Sequence, residues 1–161
     1  MATWSEFKQS DPEMAEAGRA LLYQVGVGLA FLGTVRKDGV ARLHPVCPLL
    51  TDDDEVYLFV IPSLKRDDLL RDGRYALHSF PAHENEDAFG FTGRATLRDD
   101  PATRERLATQ FATERSAFGS PRPADEDLLF VLTMDSCFLT KTTGHGDAHP
   151  DHRRWRAAPA R

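Results

Sequence analysis

An Asp-Gly pair at positions 38 and 39 separates two runs of β-type residues, 29–36 and 40–50. Asp-Gly suits the positive φ angles of a tight hairpin turn, so the two runs are predicted to pair as antiparallel strands. A third apolar run, 56–61, follows an acidic turn and leads into a short helix over residues 63–73. Strands linked in this way exclude a parallel sheet built from repeating βαβ units.

Three further strand-like runs bring the total to six: 75–80, 89–97 and 128–142. Two helices flank these strands. The Ser-Asp-Pro-Glu sequence at 10–13 has the pattern of a capping box and predicts a helix over 11–24, and Asp99 starts another. The pattern predicts a mainly β fold, a small antiparallel barrel with helices packed against it. The length of 161 residues favours one domain.

Prolines and glycines indicate that two of these strands are irregular. Pro45 and Pro48 each remove a hydrogen-bond donor from the second strand, which is therefore expected at a sheet edge or at a bulge. Gly90 and Gly93 in the fifth strand indicate a bulge or a close backbone approach. After residue 143 the sequence has little periodicity, so residues 144–161 are interpreted as a C-terminal tail.

Charge and composition argue against several classes of function. The net charge of −5, with both signs mixed throughout, argues against a nucleic-acid binder. No apolar stretch approaches membrane-spanning length and the N-terminus lacks a basic start with an apolar run, so we expect a cytoplasmic protein without membrane contact. Cys47 and Cys137 lack metal-type spacing and are expected as reduced thiols. The tail histidines lie among glycines and prolines, which favours a solvated segment over a metal site: His145, His149 and His152.

Lys65 and Arg66 occupy the first turn of the predicted short helix. The positive end of a helix dipole favours acids in that turn, so two cations there are locally unfavourable. A bound anion would remove the conflict, because free backbone N–H groups, the Ser63 hydroxyl and a lysine together make a phosphate site. Arg42 and His44 share one face of the second strand, and the hairpin can bring Arg42 beside the helix start, where its guanidinium would contact the same phosphate.

A structural interpretation of the same residues stays open. Arg42 would then be a surface strand residue and Ser63 a simple N-cap, with both helix cations paired to carboxylates such as Asp68 or Asp72. His44, which precedes a proline, would be a structural hydrogen-bond donor. No nucleophile–base arrangement stands out, so hydrolysis is not expected and any chemistry would come from a bound cofactor.

Three segments resemble the pyridoxamine 5′-phosphate oxidase-like flavin-binding split-barrel superfamily: FLGTVRKDGVARLHPV (31–46), VYLFVIPSLKRDDLLRDGRYALHS (56–79) and FGFTGRATL (89–97). The similarity covers residues 4–97. It implies a six-stranded Greek-key split barrel and a homodimer with two FMN sites at the subunit interface. The chain would then be one domain, made of an N-terminal helix (1–27), a barrel (28–143) and a tail (144–161).

The resemblance also implies a set of cofactor-binding residues. In this superfamily an arginine of the second strand and a Ser-x-Lys after the third strand hold the FMN phosphate, and these fall on Arg42, Ser63 and Lys65. The HRRWR segment at 152–156 is similar to a C-terminal motif that approaches the flavin, which would place Trp155 at the cofactor. Flanking residues would line the isoalloxazine ring: His44, Pro45, Val46, Ile61 and Pro62.

An FMN-dependent oxidoreductase is the function that the resemblance implies, exchanging a hydride or electrons with a small organic substrate. Two alternatives on the same fold stay open. One is a deazaflavin-dependent reductase, whose acidic cofactor tail would need a basic groove extended by Arg66, Arg71 and Arg74. The other is a non-catalytic flavin or haem carrier, with His44 or a tail histidine as a haem ligand.

Overall fold

The computed structural model describes residues 1–159, and the last two residues of the expected tail, Ala160 and Arg161, lie outside the described residues. The described chain forms four α-helices: α1 (Trp4–Ser10), α2 (Pro12–Leu22), α3 (Leu64–Arg71) and α4 (Pro101–Glu114). A short 3-10 turn, Ser116–Phe118, follows α4. The strands are β1 (Ala30–Val35), β2 (Ala41–Val46), β3 (Leu49–Leu50), β4 (Val56–Val60), β5 (Arg74–Ser79), β6 (Ala88–Leu97), β7 (Leu128–Lys141) and β8 (Asp151–Arg156).

All eight strands belong to one antiparallel sheet in the order β2-β1-β5-β6-β7-β4-β3, with β8 added to β7. The Asp-Gly pair turns the chain between β1 and β2, where Gly39 has a φ of 84°, and this confirms the predicted hairpin. The long strand β7 pairs with β4 through residues 128–132 and with β8 through residues 136–141. Since β6 pairs along both parts of β7, the sheet curls into a half-barrel with the helices against it. The predicted mainly β fold is confirmed.

The sheet has eight strands among the described residues, where six were predicted. The second predicted strand is divided: β2 ends at Val46, and β3 pairs with β4 at the opposite end of the sheet. Pro48, which has no N–H donor, lies between the two parts. β2 itself is an edge strand, as its proline predicted. The other additional strand, β8, lies in the segment interpreted as a tail.

The predicted capping box at residues 10–13 is wrong, because a separate helix precedes it. Ser10 is the last residue of α1, and Asp11 caps α2 by accepting a 3.0 Å hydrogen bond from the backbone N–H of Met14. The capping box lies one helix earlier, where Thr3 and Glu6 satisfy each other's backbone N–H groups. Seven residues are too few for α1 to show a helical period in the sequence.

Aromatic side chains of α1 and β6 form the centre of the core, with ring centroids 5.4 to 6.3 Å apart: Trp4, Phe7, Phe89 and Phe91. The register of β6 on β7 shifts between Thr92 and Gly93, which confirms the bulge that the glycines indicated. Leu69 of α3 is buried in the same core, so α3 is held against β1 and β6. This packing sets α3 beside the β1–β2 hairpin.

Candidate functional site

Arg42 of β2 lies against α3. Its Nε donates a 2.8 Å hydrogen bond to Oδ2 of Asp68, and only 21% of its side chain is exposed. Thr34, the cross-strand neighbour of Arg42 on β1, donates its hydroxyl to the same oxygen at 2.9 Å. Nη2 of Arg71 lies 3.5 Å from the other carboxylate oxygen. Side chains from β1, β2 and α3 therefore converge on one buried carboxylate.

The carboxylate of Asp68 stays ionised despite its burial. Burial works to raise its pKa, since a charged group is poorly stabilised away from water. The hydrogen bonds from Arg42 and Thr34, together with the positive charge of Arg42, outweigh burial, and the pKa of Asp68 lies below its ordinary value. At neutral pH, Asp68 and Arg42 therefore form a fixed ion pair.

The N-terminal end of α3 presents hydrogen-bond donors. Ser63 occupies the N-cap position, but its hydroxyl donates to the Ile61 carbonyl at 2.8 Å and makes no cap hydrogen bond. Within residues 1–159, no group accepts a hydrogen bond from the backbone N–H of Leu64 or Lys65. The first N–H groups of a helix point outward at its N-terminal end, where they can bind an anion.

Lys65 lies in the first turn of α3 and is half-buried. Burial lowers the pKa of its ammonium group, and no neighbouring charge offsets that effect. No carboxylate within the described part of the chain forms an ion pair with it. A cation thus occupies the positive end of a helix with neither full hydration nor a counter-charge.

The alternative that stayed open, pairing of the helix cations with Asp68 or Asp72, is wrong. Asp68 is engaged by the arginine of β2, and Asp72 accepts hydrogen bonds of 2.6 and 2.8 Å from Arg74. Arg66 instead donates through Nη1 to the backbone carbonyl of Glu126, at 3.0 Å. The carboxylates of α3 therefore leave its first-turn lysine unpaired.

A cavity of about 510 Å³ lies between the β1–β2 hairpin and α3. Leu64 and seven charged side chains line it, four cations and three carboxylates: Arg36, Lys37, Arg42, Arg71, Asp38, Asp67 and Asp68. Ser63 and Lys65 are not among these lining residues. The structure therefore brings Arg42 to α3, and it places Ser63 and Lys65 at the beginning of that helix, beside the cavity lining.

The residues that the resemblance assigns to the flavin ring differ in exposure. Val46 is buried in the core, and His44 is half-buried without a hydrogen-bond partner among residues 1–159. Pro45 is exposed and points to the face of β2 opposite His44, because side chains alternate along a strand. Ile61, 55% exposed, and Pro62 lead directly into the donors of α3.

Trp155 faces the interior of the protein. Its ring packs on Phe7 with the centroids 4.9 Å apart, and its Nε1 donates to Oγ of Ser10 at 2.6 Å. A second cavity, of about 590 Å³, lies along β8 and has no carboxylate among the described residues that line it. The residues of β8 that alternate with Trp155 also line it: His152, Arg154 and Arg156. This cavity shares no lining residue with the cavity at α3, so Trp155 and Arg42 lie at separate places in one chain.

Asp68 is the residue of the site whose role the sequence interpretation missed, since it was considered only as a partner for the cations of its own helix. Leu64, Asp68 and Arg71 recur at positions i, i+4 and i+7, which places them on one face of α3. That spacing is the signal that predicts which carboxylate meets the neighbouring strand. The partner, Arg42, is 26 residues away and becomes evident only in the fold.

The cysteines and the remaining ligand-type residues do not add a metal centre to the described part of the chain. Cys47 and Cys137 are both free, and burial, reinforced by the negative charge of Asp11, raises the pKa of the Cys137 thiol to about 12. Across residues 1–159 no group of three or more His, Cys, Asp or Glu side chains is arranged to hold a metal ion. None of the helices in this range has the length and apolarity needed to cross a membrane.

No family model matches the sequence, and no curated protein matches it. Solved structures do match. General stress protein 26 of Bacillus anthracis is 17% identical with a TM-score of 0.58, over 77% of this chain and 91% of that one. A Listeria innocua protein provisionally named pyridoxamine 5′-phosphate oxidase is 14% identical with a TM-score of 0.56, over 74% and 91% of the two chains.

A haem-binding protein of Mycobacterium smegmatis is also similar, at 16% identity and a TM-score of 0.60. The match covers 85% of this chain and 57% of that protein, so the chain spans little more than half its length. These neighbours share the antiparallel half-barrel described above. The chain therefore has the fold of the pyridoxamine 5′-phosphate oxidase-like split barrels, as the resemblance of residues 4–97 predicted.

Proposed function

We propose that the chain is an FMN-binding oxidoreductase that works as a homodimer, with the cofactor phosphate held by Arg42, Ser63 and Lys65. FMN would supply hydride or electron transfer to or from a small organic substrate, while the protein binds and orients it. The observation that carries this proposal is the state of Lys65. It is a half-buried ammonium group at the positive end of a helix, without a carboxylate partner in residues 1–159.

A phosphate group would satisfy the start of α3. Partial burial removes water from the Lys65 ammonium, and the helix dipole adds positive potential at the same place. A phosphate there would accept hydrogen bonds from that ammonium and from the N–H groups of Leu64 and Lys65. The Ser63 hydroxyl, which now donates to a backbone carbonyl, would add a donor by rotating about its side-chain bond.

Apolar groups beside the phosphate site suit a flat ring. Ile61 and Pro62 are exposed immediately before the donors of α3, and His44 adds a half-buried imidazole on β2. Pockets for aromatic cofactors are lined mainly by apolar groups, with a few polar groups that fix orientation. A ring laid on this surface would remain attached to the phosphate at the helix start.

The charge of the cavity beside α3 argues against deazaflavin. Arg71 and Arg74 were expected to extend a basic groove for an acidic cofactor tail, but they lie next to Asp68 and Asp72. An extended acidic tail in this cavity would also meet its other carboxylates. A single phosphate held by the helix donors at the start of α3 would meet fewer of these carboxylates.

A haem carrier is the second candidate. It is favoured by His44, a half-buried imidazole without a described hydrogen-bond partner, and by the fold shared with a haem-binding protein. Imidazole is a common iron ligand. Reconstitution distinguishes the two candidates, since a haem binder develops a Soret band and a flavin binder retains the two flavin bands.

The test is to reconstitute the full chain with FMN, desalt it and record its absorbance, then measure affinity by titration. We expect flavin to be retained, and Lys65→Met to weaken FMN binding by about 1.5–3 kcal/mol, or roughly 10- to 150-fold. Lys8→Met is the control, since Lys8 is an exposed lysine of α1 that does not line the cavity beside α3, and it should have little effect. A colourless protein after reconstitution, or equal affinities for both variants, would contradict the proposed site.

Catalysis is tested on the reconstituted protein under anaerobic conditions. Bound FMN should be reduced by a hydride donor such as NADPH or by dithionite, and a small quinone should then reoxidise it over repeated turnovers. A flavin that is reduced only by dithionite and does not turn over would indicate a carrier.

A further inference from the structure

We infer that Asp68 is the positioning residue of the anion site: it holds the guanidinium of Arg42 through Nε and so fixes where its terminal amino groups can meet a phosphate. This inference rests on the proposed function, because it assigns the residue that acts through Arg42. Asp68 itself would not touch the cofactor, since its carboxylate would repel a phosphate.

Asp68 receives donors from three elements of the fold. Its Oδ2 accepts from Nε of Arg42 at 2.8 Å and from the hydroxyl of Thr34 at 2.9 Å, and its Oδ1 lies 3.5 Å from Nη2 of Arg71. The side chain is only 8% exposed. Because α3 packs into the core through Leu69, the position of this carboxylate is set by the fold.

The side of the Arg42 guanidinium that Asp68 holds determines which N–H donors remain available to a ligand. Arg42 has five N–H donors in a planar fork, and Asp68 engages the one on Nε. Within residues 1–159, no other group accepts a hydrogen bond from the side chain of Arg42. The guanidinium is partly exposed and lines the cavity beside α3, so its Nη groups can donate to a ligand.

Anchoring of this kind lowers the entropic cost of binding. A free arginine has many rotamers, and a ligand that immobilises it loses affinity for that reason. In the folded chain Arg42 is already restrained by a charge-assisted hydrogen bond to an ionised carboxylate, since the pKa of Asp68 lies below its ordinary value. The restraint is present before any ligand arrives.

An amide at this position cannot keep the same arrangement. A carboxylate offers two acceptor oxygens, whereas the side chain of asparagine offers one acceptor oxygen and one NH₂ donor. Because Thr34, Arg42 and Arg71 all direct donors at this one side chain, the amide NH₂ introduced by Asp68→Asn would face at least one other donor. Even with its amide oxygen in the place of Oδ2, the variant would lose the negative charge of the carboxylate, so the hydrogen bond that restrains Arg42 would no longer be charge-assisted and the restraint would weaken.

The experiment compares the affinities of four forms of the full chain for FMN and for riboflavin, which lacks the phosphate: wild type, Asp68→Asn, Arg42→Gln and the double variant. We expect Asp68→Asn to weaken FMN binding on the order of tenfold and to change riboflavin binding less than twofold. In the Arg42→Gln background the same change should have no further effect. If Asp68 had only a structural role, its substitution would weaken the binding of FMN and of riboflavin alike.

Asp67→Asn is the matched control for charge. Asp67 neighbours Asp68, lines the same cavity, and has no ion pair among the described residues. Its neutralisation should leave FMN affinity unchanged or increase it, because it removes a negative charge without touching Arg42. If Asp68→Asn does not fold, Thr34→Val tests the same anchor with a milder change, and a selective loss of FMN affinity is again expected.

Three results would overturn the inference: wild-type affinity in Asp68→Asn, the same effect from Asp67→Asn, or full additivity with Arg42→Gln. Equal affinity of the wild type for FMN and riboflavin would be a different failure. It would refute the phosphate site itself, and with it any role of Asp68 toward a phosphate.

Discussion

At the scale of single residues, the titration of Lys65 reports on the anion site. Only the charged ammonium attracts a phosphate, and burial lowers its pKa in the free protein. As pH rises through this lowered pKa, the ammonium group loses its proton and FMN affinity should fall. The fall should begin at a lower pH than it would for an exposed lysine, whose pKa is about 10.4. Fluorescence titration with FMN between neutral and alkaline pH measures this.

Lys65→Arg is the control for that pH dependence, because a guanidinium remains charged throughout the accessible range. Its FMN affinity should change less with rising pH than that of the wild type. The affinity for riboflavin should show no such pH dependence, either in the wild type or in Lys65→Arg. A wild-type affinity that stays constant up to the range of exposed lysines would contradict the assignment of Lys65 to the phosphate.

At the scale of elements, the bulge in β6 depends on Gly93. A Cβ at this position would overlap the carbonyl oxygen of Thr133 and lie 2.8 Å from its carbonyl carbon, so β6 and β7 would have to separate. Gly93→Ala should therefore lower the free energy of unfolding by about 1–3 kcal/mol. Gly33 of β1 is the matched control, since its Cβ would lie 3.5 Å from the nearest atom, the carbonyl oxygen of Ala76. Gly33→Ala should be tolerated or stabilise the fold by about 0.4–1 kcal/mol.

Urea unfolding, followed by circular dichroism, compares the two glycine variants. The prediction fails if both substitutions lower the free energy of unfolding equally, because the close approach of β6 and β7 at the bulge would then not explain the effect of Gly93→Ala. Neither glycine has a positive φ angle, so strained backbone conformation does not confuse the comparison.

Elements specified by local signals could be predicted, and elements specified by distant partners could not. The β1–β2 hairpin follows from Asp38 and Gly39, and the end of α3 from Gly73, which has a φ of 74°. The glycines and the proline before β8 indicate a loop and not that a strand follows it; the residues of β8 form a strand because the second half of β7 offers a free edge. Its alternation of half-buried Trp155 with exposed neighbours is short, and it was interpreted as part of a tail.

At the scale of the whole molecule, the same contrast between local signals and distant partners explains which parts of the candidate site could be predicted from the sequence. The cations at the start of α3 were found from sequence because a helix end has a known electrostatic preference. The anchor between Arg42 and Asp68 joins β2 to α3 and depends on the packing of α3 against β1, the strand paired with β2. The turn of Trp155 toward Phe7 likewise depends on α1, a helix that the sequence pattern did not reveal.

The exposed face of the sheet that carries Leu43 is expected to bind a second copy of the chain. Leu43 of the edge strand β2 is 65% exposed, and it lies opposite Gly33 on β1, with Pro45 exposed beside it. Phe31 of β1 stacks on Phe80, the residue that follows β5, with the ring centroids 4.3 Å apart. An apolar sheet face of this kind is unusual on a soluble monomer and is typical of a protein interface.

Light scattering after gel filtration should therefore give the wild type twice the chain mass of 18.0 kDa. Leu43→Asp would place a charge on the apolar face, so we expect a monomer. If the cofactor lies between subunits, that variant should also lose FMN affinity although Leu43 points away from Arg42 on its own strand. Val25→Asp is the matched control, because Val25 is 50% exposed in the turn after α2 and is not part of a strand. A monomeric wild type would refute the dimer, and a monomeric Leu43→Asp with unchanged FMN affinity would place the cofactor within one chain.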